Sequence, residues 1–303
     1  MAEVMNRFNI IMIALIVLLL ADLAVFGVVV FSNNRPEPVV SSNVIRMGVV
    51  SDVDHPKAHQ VFVDFFRKFG QQPDFTVIPC YAASYDEAVA GFIHGSIDLL
   101  LINSAYFLTL KEKYNAKAIV RQRFSASEKE YNHAVLLAGS KITDLSVTRG
   151  LRLVYKDRYA MGGYLVPDHY IQTQLGVPEQ QWFKSIRFTG SDYTSLDDLI
   201  AGRADVIAVN LRTLGNNELY RQNARNFNMF WISQQLPESV ICVSFQSDFF
   251  VNADLLQRLT NALWTLSRQD TNFNSTSMSF EPIDFQFEGE LKKLEEYLHS
   301  TKP

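Results

Sequence analysis

The sequence has little of what marks several large classes of protein. It contains two cysteines in 303 residues, Cys80 and Cys242, and they lie in different halves of the chain. They match neither a C-x-x-C pair nor a zinc-ligand spacing, which argues against a metal site built on them. A disulfide between them and a pair of free buried thiols both remain open.

Catalytic motifs are also missing. The chain has no G-x-S-x-G elbow, no glycine-rich phosphate-binding loop ending in G-K-[ST], no G-x-G-x-x-G and no H-E-x-x-H. Adjacent acid pairs such as Asp197 and Asp198 point about 100° apart on a helix, so they do not converge. We therefore predict a non-catalytic protein without a cofactor or a metal.

No excess of positive charge is present either, since the formal net charge is −4. The basic residues between positions 111 and 123 are interleaved with acidic and apolar ones, which is typical of a solvated face and not of a nucleic-acid surface. With 48% hydrophobic residues, the chain is long enough to bury one large core or two ordinary ones.

What the sequence does contain is one motif in two copies. The first copy, Tyr85 to Asn103, reads Y-D-E-A-V-A-G-F-I-H-G-S-I-D-L-L-L-I-N, and the second, Tyr193 to Asn210, reads Y-T-S-L-D-D-L-I-A-G-R-A-D-V-I-A-V-N. At one constant offset the copies share three residue pairs: Gly95 with Gly202, Asp98 with Asp205, and Asn103 with Asn210.

Each copy predicts an amphipathic helix that ends at glycine, a tight G-x-x-D turn and a continuous apolar strand buried on both faces. A single copy would mean little, because this turn can close any helix before any strand. Two copies with matching flanks favour two similar α/β lobes with a cleft between them.

Near the N-terminus, residues 10–31 are apolar except for Asp22, and a helix of this length crosses a hydrocarbon core of about 30 Å. A cleaved signal peptide is the alternative, but a good small-x-small cleavage site is lacking. We expect a retained transmembrane anchor, preceded by a cytoplasmic stub over residues 1–9 and followed by a proline-containing tether over residues 32–43.

An ionised carboxylate near the middle of a membrane span is costly unless it is paired, protonated or shielded by protein. Asp22 is therefore either tolerated in a marginal anchor or docked against the transmembrane helices of a partner. The second interpretation predicts integral membrane protein subunits as partners.

Four segments together resemble a known family: V-I-R-M-G-V-V-S-D-V-D from residue 44, the first motif copy, G-G-Y-L-V-P at 162–167, and F-T-G-S-D-Y ahead of the second copy. They are similar to the phosphate/phosphite/phosphonate-binding family of periplasmic solute-binding proteins, the receptors of ABC importers. The resemblance covers roughly residues 44–267. It implies a type II periplasmic-binding-protein fold, whose hinged cleft closes on a ligand.

On this basis we expect each lobe to be a mainly parallel sheet flanked by helices. Lobe one would span residues 44–135 and 233–268, lobe two residues 136–232, and a C-terminal tail with an exposed helix residues 269–303.

The resemblance also implies where an anion would bind. In the family it lies at the start of the lobe-two helix before G-Y-L-V-P, among serine and threonine hydroxyls and free N–H groups. Here the stretch reads Y-A-M-G, so the hydroxyls are missing and only backbone N–H groups remain. Asp192 stands where the family has a histidine, and Asn210 where it has an acid. A carboxylate beside a dianion is unfavourable, which predicts weak phosphonate binding.

Tyr85 and Tyr106 match aromatic cleft positions of the family, while Asn103 and Ser104 follow a parallel strand, where α/β ligands usually bind. Each tyrosine could equally be an ordinary half-buried aromatic residue. The predicted cleft comprises Tyr85, Asn103, Ser104, Tyr106, Met161, Gly162, Gly163, Asp192 and Asn210. Weaker candidates are Tyr131, His133, Tyr159 and Tyr193.

Two functions follow from these patterns. The first is a non-catalytic accessory or receptor subunit of a bacterial inner-membrane complex, held by a single-pass helix with its folded domain in the periplasm. The alternative is the substrate-binding component of an ABC importer for a small anion or polar metabolite. Neither involves nucleic acid.

Overall fold

The computed structural model of the chain describes residues 43–50, 56–123, 131–269 and 278–300. The predicted stub, the predicted span with Asp22 and all but the last residue of the predicted tether lie outside the described residues. Within the described ranges, no helix combines the length and the apolar composition needed to cross a bilayer.

The described strands, in chain order, are β1 (Val44–Val50), β2 (Thr76–Ala82), β3 (Leu99–Ile102), β4 (Lys117–Arg123), β5 (Ala134–Gly139), β6 (Arg152–Tyr155), β7 (Ser185–Phe188), β8 (Val206–Asn210), β9 (Phe227–Ile232), β10 (Val240–Val243) and β11 (Ser279–Pro282).

The described α-helices are α1 (Pro56–Phe69), α2 (Tyr85–Ile93), α3 (Ser104–Tyr114), α4 (Val166–Leu175), α5 (Glu179–Trp182), α6 (Asp192–Ile200), α7 (Leu211–Asn216), α8 (Glu218–Asn223), α9 (Asp248–Val251), α10 (Ala253–Gln269) and α11 (Phe285–His299). A π-helical turn, Met161–Leu165, leads directly into α4, and short 3-10 turns occupy Leu145–Thr148 and Ala224–Asn226.

The described strands form two sheets. The first has the order β11-β4-β10-β3-β1-β2 and the second β7-β6-β8-β5-β9. We call the first sheet with α1 to α3 and α9 to α11 lobe one, and the second sheet with α4 to α8 lobe two.

The sheets are mixed, although most of their described strands run in one direction: β1, β2, β3 and β4 in the first sheet, and β6, β7, β8 and β9 in the second. Strands β1, β2 and β3 pair in parallel, as do β6, β7 and β8. Strands β5 and β10 instead pair antiparallel with their neighbours. Each of them is the first strand after the chain passes from one sheet to the other, and each enters from the opposite direction.

Both faces of each sheet are covered, which explains the continuous apolar runs of β3 and β8. In lobe one, Phe65, Phe66 and Phe69 of α1 pack with α10 on one face. Helices α2, α3 and α11 cover the other face. In lobe two, α6 covers one face and α4 the other.

The repeated glycines have a backbone reason. Gly95 and Gly202 have φ values of 75° and 69°, in the left-handed region that side chains disfavour. Each one turns the chain from a helix into the next strand, as the G-x-x-D pattern predicts.

The repeated aspartates bind an arginine of the neighbouring parallel strand in their own lobe, Arg46 of β1 and Arg152 of β6. Asp98 accepts hydrogen bonds from the backbone N–H and from Nε of Arg46 at 2.9 Å each, and from Nη2 at 2.8 Å. Asp205 accepts the same three bonds from Arg152 at 2.8, 2.8 and 2.7 Å. These Asp–Arg clamps fix the helix-to-strand turn against the sheet in both lobes.

The chain crosses between the lobes twice, and the two crossings run side by side. The N–H of Leu236 donates to the carbonyl of Asn132 at 2.8 Å, and the Asn132 side-chain amide donates back to the Leu236 carbonyl at 2.9 Å. This pair of crossings is the hinge region of the two-lobed unit.

Helix α11 differs from the exposed tail helix that the sequence suggested. Asp284 caps it by accepting from the N–H of Phe287 at 2.8 Å. Phe287, Leu291 and Leu294 are buried against lobe one, with exposures of 0%, 7% and 6%. Their i, i+4, i+7 spacing is the ordinary signal of a packed helix.

Candidate ligand-binding cleft

Residues at the carboxyl ends of β3 and β6 meet between the lobes. Asn103, directly after β3, is 8% exposed and caps α3 by accepting from the N–H of Tyr106 at 3.0 Å. Its side-chain amide donates to the backbone carbonyl of Tyr159, in the loop after β6, at 2.8 Å. One asparagine thus begins a helix and joins the two lobes.

The wall that lobe one presents is aromatic. Tyr85 is the first residue of α2, which Ser84 caps by accepting from the N–H of Glu87 at 3.2 Å. Tyr85 and Tyr106 are both half-buried. Burial raises the pKa of the Tyr85 hydroxyl, so it stays protonated and available as a hydrogen-bond donor at neutral pH.

Tyr159 of lobe two lies between these rings. Its ring centroid is 5.6 Å from that of Tyr85 and 4.8 Å from that of Tyr106, the second contact being edge-on. Its hydroxyl donates to Asp86 at the rim, and this bond raises the pKa of Tyr159 to about 12. Lobe two therefore closes the aromatic wall with its own side chain.

The wall of lobe two is charged. Lys156, one residue beyond β6, has its Nζ 3.5 Å from Oδ2 of Asp192, and its side chain is 32% exposed. The attraction of Asp192 raises the pKa of Lys156, so this ammonium remains charged at any physiological pH. Burial raises the pKa of the neighbouring Asp157, and Lys156 partly counters that shift. Asp157 also accepts from the N–H of Tyr159 at 2.8 Å, which shapes the loop.

Met161, Gly162 and Gly163 are buried at the start of the π-helical turn. No described residue accepts a hydrogen bond from their N–H groups, as expected at the first turn of a helix. Such groups favour an anionic or carbonyl oxygen. Ala160 provides no side-chain cap, so the hydroxyls that the family resemblance implied are indeed missing here.

Gly163 lies against the ion pair. A Cβ at this position would be 2.7 Å from the Lys156 Cβ and 3.1 Å from Oδ1 of Asp192. Only glycine lets the turn approach so closely. Asp192 Oδ1 is itself buried and has no hydrogen-bond partner among the described residues, whereas Oδ2 accepts from Thr213 at 3.4 Å.

Two predicted cleft residues have their polar groups bound to the crossings. The hydroxyl of Ser104, which is fully buried, donates to the backbone carbonyl of Glu238. Asn210 caps α7 by accepting from the N–H of Arg212 at 3.0 Å, and its amide donates to the Asn132 side chain at 3.0 Å. These contacts connect the cleft to the hinge region.

The structure thus brings Tyr85, Asn103 and Tyr106 together with the turn at 161–163 and Asp192. Sequence reasoning missed Lys156 and Asp157 and ranked Tyr159 only as a weaker candidate. A signal for them was present, because K-D directly follows the buried strand β6, as Asn103 follows β3.

Two weaker candidates, His133 and Tyr131, and the two cysteines are described next. His133, another weaker candidate, has its Nδ1 2.9 Å from the carbonyl of Ser233, and Tyr131 is 49% exposed. Cys80 and Cys242 are both free. Across the described residues, no group of His, Cys, Asp and Glu is arranged to hold a metal ion.

Comparison with known proteins identifies the class of protein that this fold and cleft define. The chain matches the family model described as "ABC transporter, phosphonate, periplasmic substrate-binding protein" over residues 47–284. The chain therefore belongs to this family of ABC-transporter substrate-binding proteins. Members of the family bind solutes and are not enzymes, which confirms the resemblance and the non-catalytic prediction.

Solved structures confirm the type II periplasmic-binding-protein fold. PhnD1 from Prochlorococcus marinus MIT 9301, in complex with methylphosphonate, matches with a TM-score of 0.68 and 18% identity, over 85% of this chain and 97% of that one. A binding protein component of a Pseudomonas aeruginosa ABC phosphonate transporter matches with a TM-score of 0.67 and 18% identity, over 85% and 87%. A search of curated proteins finds no match.

Proposed function

We propose that this protein is the substrate-binding component of an ABC importer and takes up a small polar solute between its two lobes. Family membership over residues 47–284 supports this function. The observation that carries it is the pairing of unsatisfied groups in the cleft. N–H groups at 161–163 lack acceptors among the described residues, and the nearby Asp192 Oδ1 lacks a donor.

These groups define the chemistry of the solute. An anionic or carbonyl oxygen of the solute would accept from the N–H groups, and an N–H or O–H of the same molecule would donate to Asp192. A simple phosphonate dianion has no such donor. Asp157 and Asp192 oppose it with two carboxylates, against the single ammonium of Lys156 in this part of the described cleft.

The test is a thermal-shift and calorimetry screen of the full-length chain against small anions, amino compounds and hydroxylated metabolites. A solute at a hundredfold excess over its dissociation constant should stabilise the fold by about 2.7 kcal/mol. Gly162→Leu should abolish the shift, because a side chain there would press on Asn210 and Leu236 and displace the turn that carries the N–H groups. Gln180→Leu, which adds the same side chain at an exposed position of lobe two, is the matched control. A hit that survives Gly162→Leu would place binding elsewhere.

A second function, an accessory subunit of an inner-membrane complex, draws on a different observation. The ring of Tyr159 contacts both Tyr85 and Tyr106, and Asn103 donates to the Tyr159 carbonyl, so the two lobes bind each other directly. A subunit that docks through its N-terminal helix would need no ligand in the cleft. On this proposal the protein is a single-pass inner-membrane protein whose folded domain lies in the periplasm.

Asp22 separates the two functions. If the N-terminal segment docks in a bundle of helices, Asp22→Leu should weaken co-purification with membrane partners, since hydrogen bonds between such helices reach roughly 2 kcal/mol. The melting temperature of the folded domain should not change. Unaltered co-purification would leave the importer function alone.

A further inference from the structure

Helix α11 contacts both lobes, although its sequence position places it after all the strands. Its first half is fixed to lobe one. Arg121 of β4, whose side chain is 7% exposed, forms ion pairs with Glu281 at 2.8 Å and with the capping residue Asp284 at 3.0 Å. The guanidinium of Arg121 also lies over the ring of Phe287, 5.1 Å from its centroid.

This first attachment continues along the helix. Leu291 and Leu294 are buried in the same cluster as Phe107 and Leu110 of α3. Burying apolar side chains and a paired arginine is much harder to reverse than an exposed contact. The first three turns of α11 therefore move with lobe one.

The last turn of α11 contacts lobe two instead. The ring of Tyr297 lies 4.2 Å from that of His169 in α4, centroid to centroid. The hydroxyl of Tyr297 donates to the carbonyl of Val166 at 3.4 Å, and the hydroxyl of Ser300 is 3.3 Å from Nε2 of His169. Tyr297 also packs against the apolar cluster that includes Val166 of α4.

Beside this turn, the structure leaves a groove of about 480 Å³ that is lined by α11, by Trp231 of β9 and by Pro237 of the following crossing. The far end of α11 is thus held to lobe two by a ring contact, two hydrogen bonds and the apolar packing of Tyr297. If the lobes rotate apart about the crossings, these are the contacts of α11 that must break.

We propose that the last turn of α11 is a clasp: Tyr297 and Ser300, carried by lobe one, hold α4 of lobe two and so favour the closed form of the cleft. The partners of the clasp are Val166 and His169 of α4 and not the cleft residues Tyr85, Asn103 and Tyr159, so it acts with or without a solute. Because solute binding selects the closed form, loss of the clasp lowers the population that is ready to bind.

The test measures the distance between the lobes directly in the full-length chain without solute. Spin labels at Asp74→Cys in lobe one and Thr194→Cys in lobe two, in a Cys80→Ser background, report this distance by double electron–electron resonance. Both labelled positions are exposed, and Cys242 is fully buried.

We expect Tyr297→Ala with Ser300→Ala to lower the ratio of closed to open forms by about tenfold, as for an aromatic pair and two hydrogen bonds. Glu296→Ala, an exposed neighbour on the same turn, should leave the distance distribution unchanged. An unchanged distribution in a folded double variant contradicts the clasp.

If the double variant loses its circular dichroism, Tyr297→Phe with Ser300→Ala replaces it, since this pair keeps the ring and removes both hydrogen bonds. It should still raise the open fraction, by about threefold. A distribution identical to that of the parent would then overturn the proposal.

Discussion

The two lobes share the same backbone-fixing contacts and differ in the side chains that they place in the cleft. In both, an aspartate after a left-handed glycine binds an arginine of the neighbouring parallel strand, and an asparagine at the end of a strand caps the next helix. Beyond these contacts, lobe one offers tyrosine rings, whereas lobe two offers an ammonium and two carboxylates. The repeated residues build the fold, and the unrepeated ones give the two walls of the cleft their different chemistry.

The two asparagines show the same difference at one position. Both accept from a helix N–H, yet the amide of Asn103 reaches across to Tyr159, while the amide of Asn210 bonds the crossing at Asn132. Two residues at equivalent positions of the repeat therefore have different partners: one joins the lobes across the cleft, and the other binds a crossing. The following predictions test how far the lobes are alike, from the largest expected effect to the smallest.

Breaking the Asp–Arg clamp should destabilise the protein more in lobe one than in lobe two. The Asp98 side chain is 8% exposed and that of Asp205 is 28% exposed. Asp98→Ala removes a buried carboxylate that accepts three hydrogen bonds, while the Arg46 side chain is 41% exposed, so it should lower the free energy of unfolding by about 3 kcal/mol. Asp205→Ala should cost clearly less. Urea melts of both variants measure this, and equal losses would show that burial does not distinguish the clamps.

A buried acid should make the stability of lobe two depend on pH. The hydroxyl of Tyr155 donates to Glu179 at 2.6 Å, and burial, with Asp168 nearby, raises the pKa of Glu179 to about 7. A raised carboxyl pKa favours the fold while the group is protonated, so this contribution is full at low pH and is lost as pH rises through about 7.

Between pH 5 and pH 8 the free energy of unfolding should therefore fall by up to about 3 kcal/mol. Glu179→Gln keeps the shape and cannot ionise, so its stability should be flatter over this range. Glu218→Gln, at an exposed acid of lobe two, provides the matched control. The same slope in Glu179→Gln as in the parent would exclude Glu179 as the source.

The charge of the lobe-two wall should set the response to phosphonates. Methylphosphonate should give little thermal shift with the parent protein, because Asp192 repels it. Asp192→Asn should raise its affinity by about tenfold or more, the size of one short-range charge interaction near a surface. Asp197→Asn, on the exposed side of the same helix, should change nothing. Micromolar binding by the parent in calorimetry would contradict this account.

Tyr159 should matter least of the four. Tyr159→Ala removes two ring contacts and the bond to Asp86, but the bond from Asn103 to its backbone carbonyl survives. We expect about 1 kcal/mol less stabilisation of the closed form. Small-angle scattering would detect a larger mean radius of gyration, and Asn103→Ala should increase it further. A more compact Tyr159→Ala protein would contradict the role of the ring.

Much of the fold could be predicted, because buried strands and left-handed glycines leave strong local signals. Leu99–Ile102 and its counterpart after Gly202 are apolar without interruption, and both became strands covered on both faces. The antiparallel entry of β5 and β10 could not be read from the same signals. Strand direction depends on how the chain returns between lobes, which no local pattern encodes.

The site was harder to predict, because its side chains find partners that are distant in sequence. Tyr85, Asn103 and Tyr106 were named from strand ends, but their contact with Tyr159 depends on how the lobes close. The sequence alone does not distinguish Lys156 from any other charged residue after a strand. Its role depends on the ion pair with Asp192, which only the folded structure brings together. Helix α11 was taken as exposed because charged residues cover one face, although Phe287 and Leu291 already marked the other.

Gly162 has an evolutionary consequence. A Cβ there would lie 3.1 Å from the side-chain nitrogen of Asn210, which itself holds Asn132 in a crossing. Adding a hydroxyl-bearing side chain at this one position would therefore press on a residue that reaches the hinge region. Among relatives, the residue at the equivalent of 162 and the residue at the equivalent of 210 should change together.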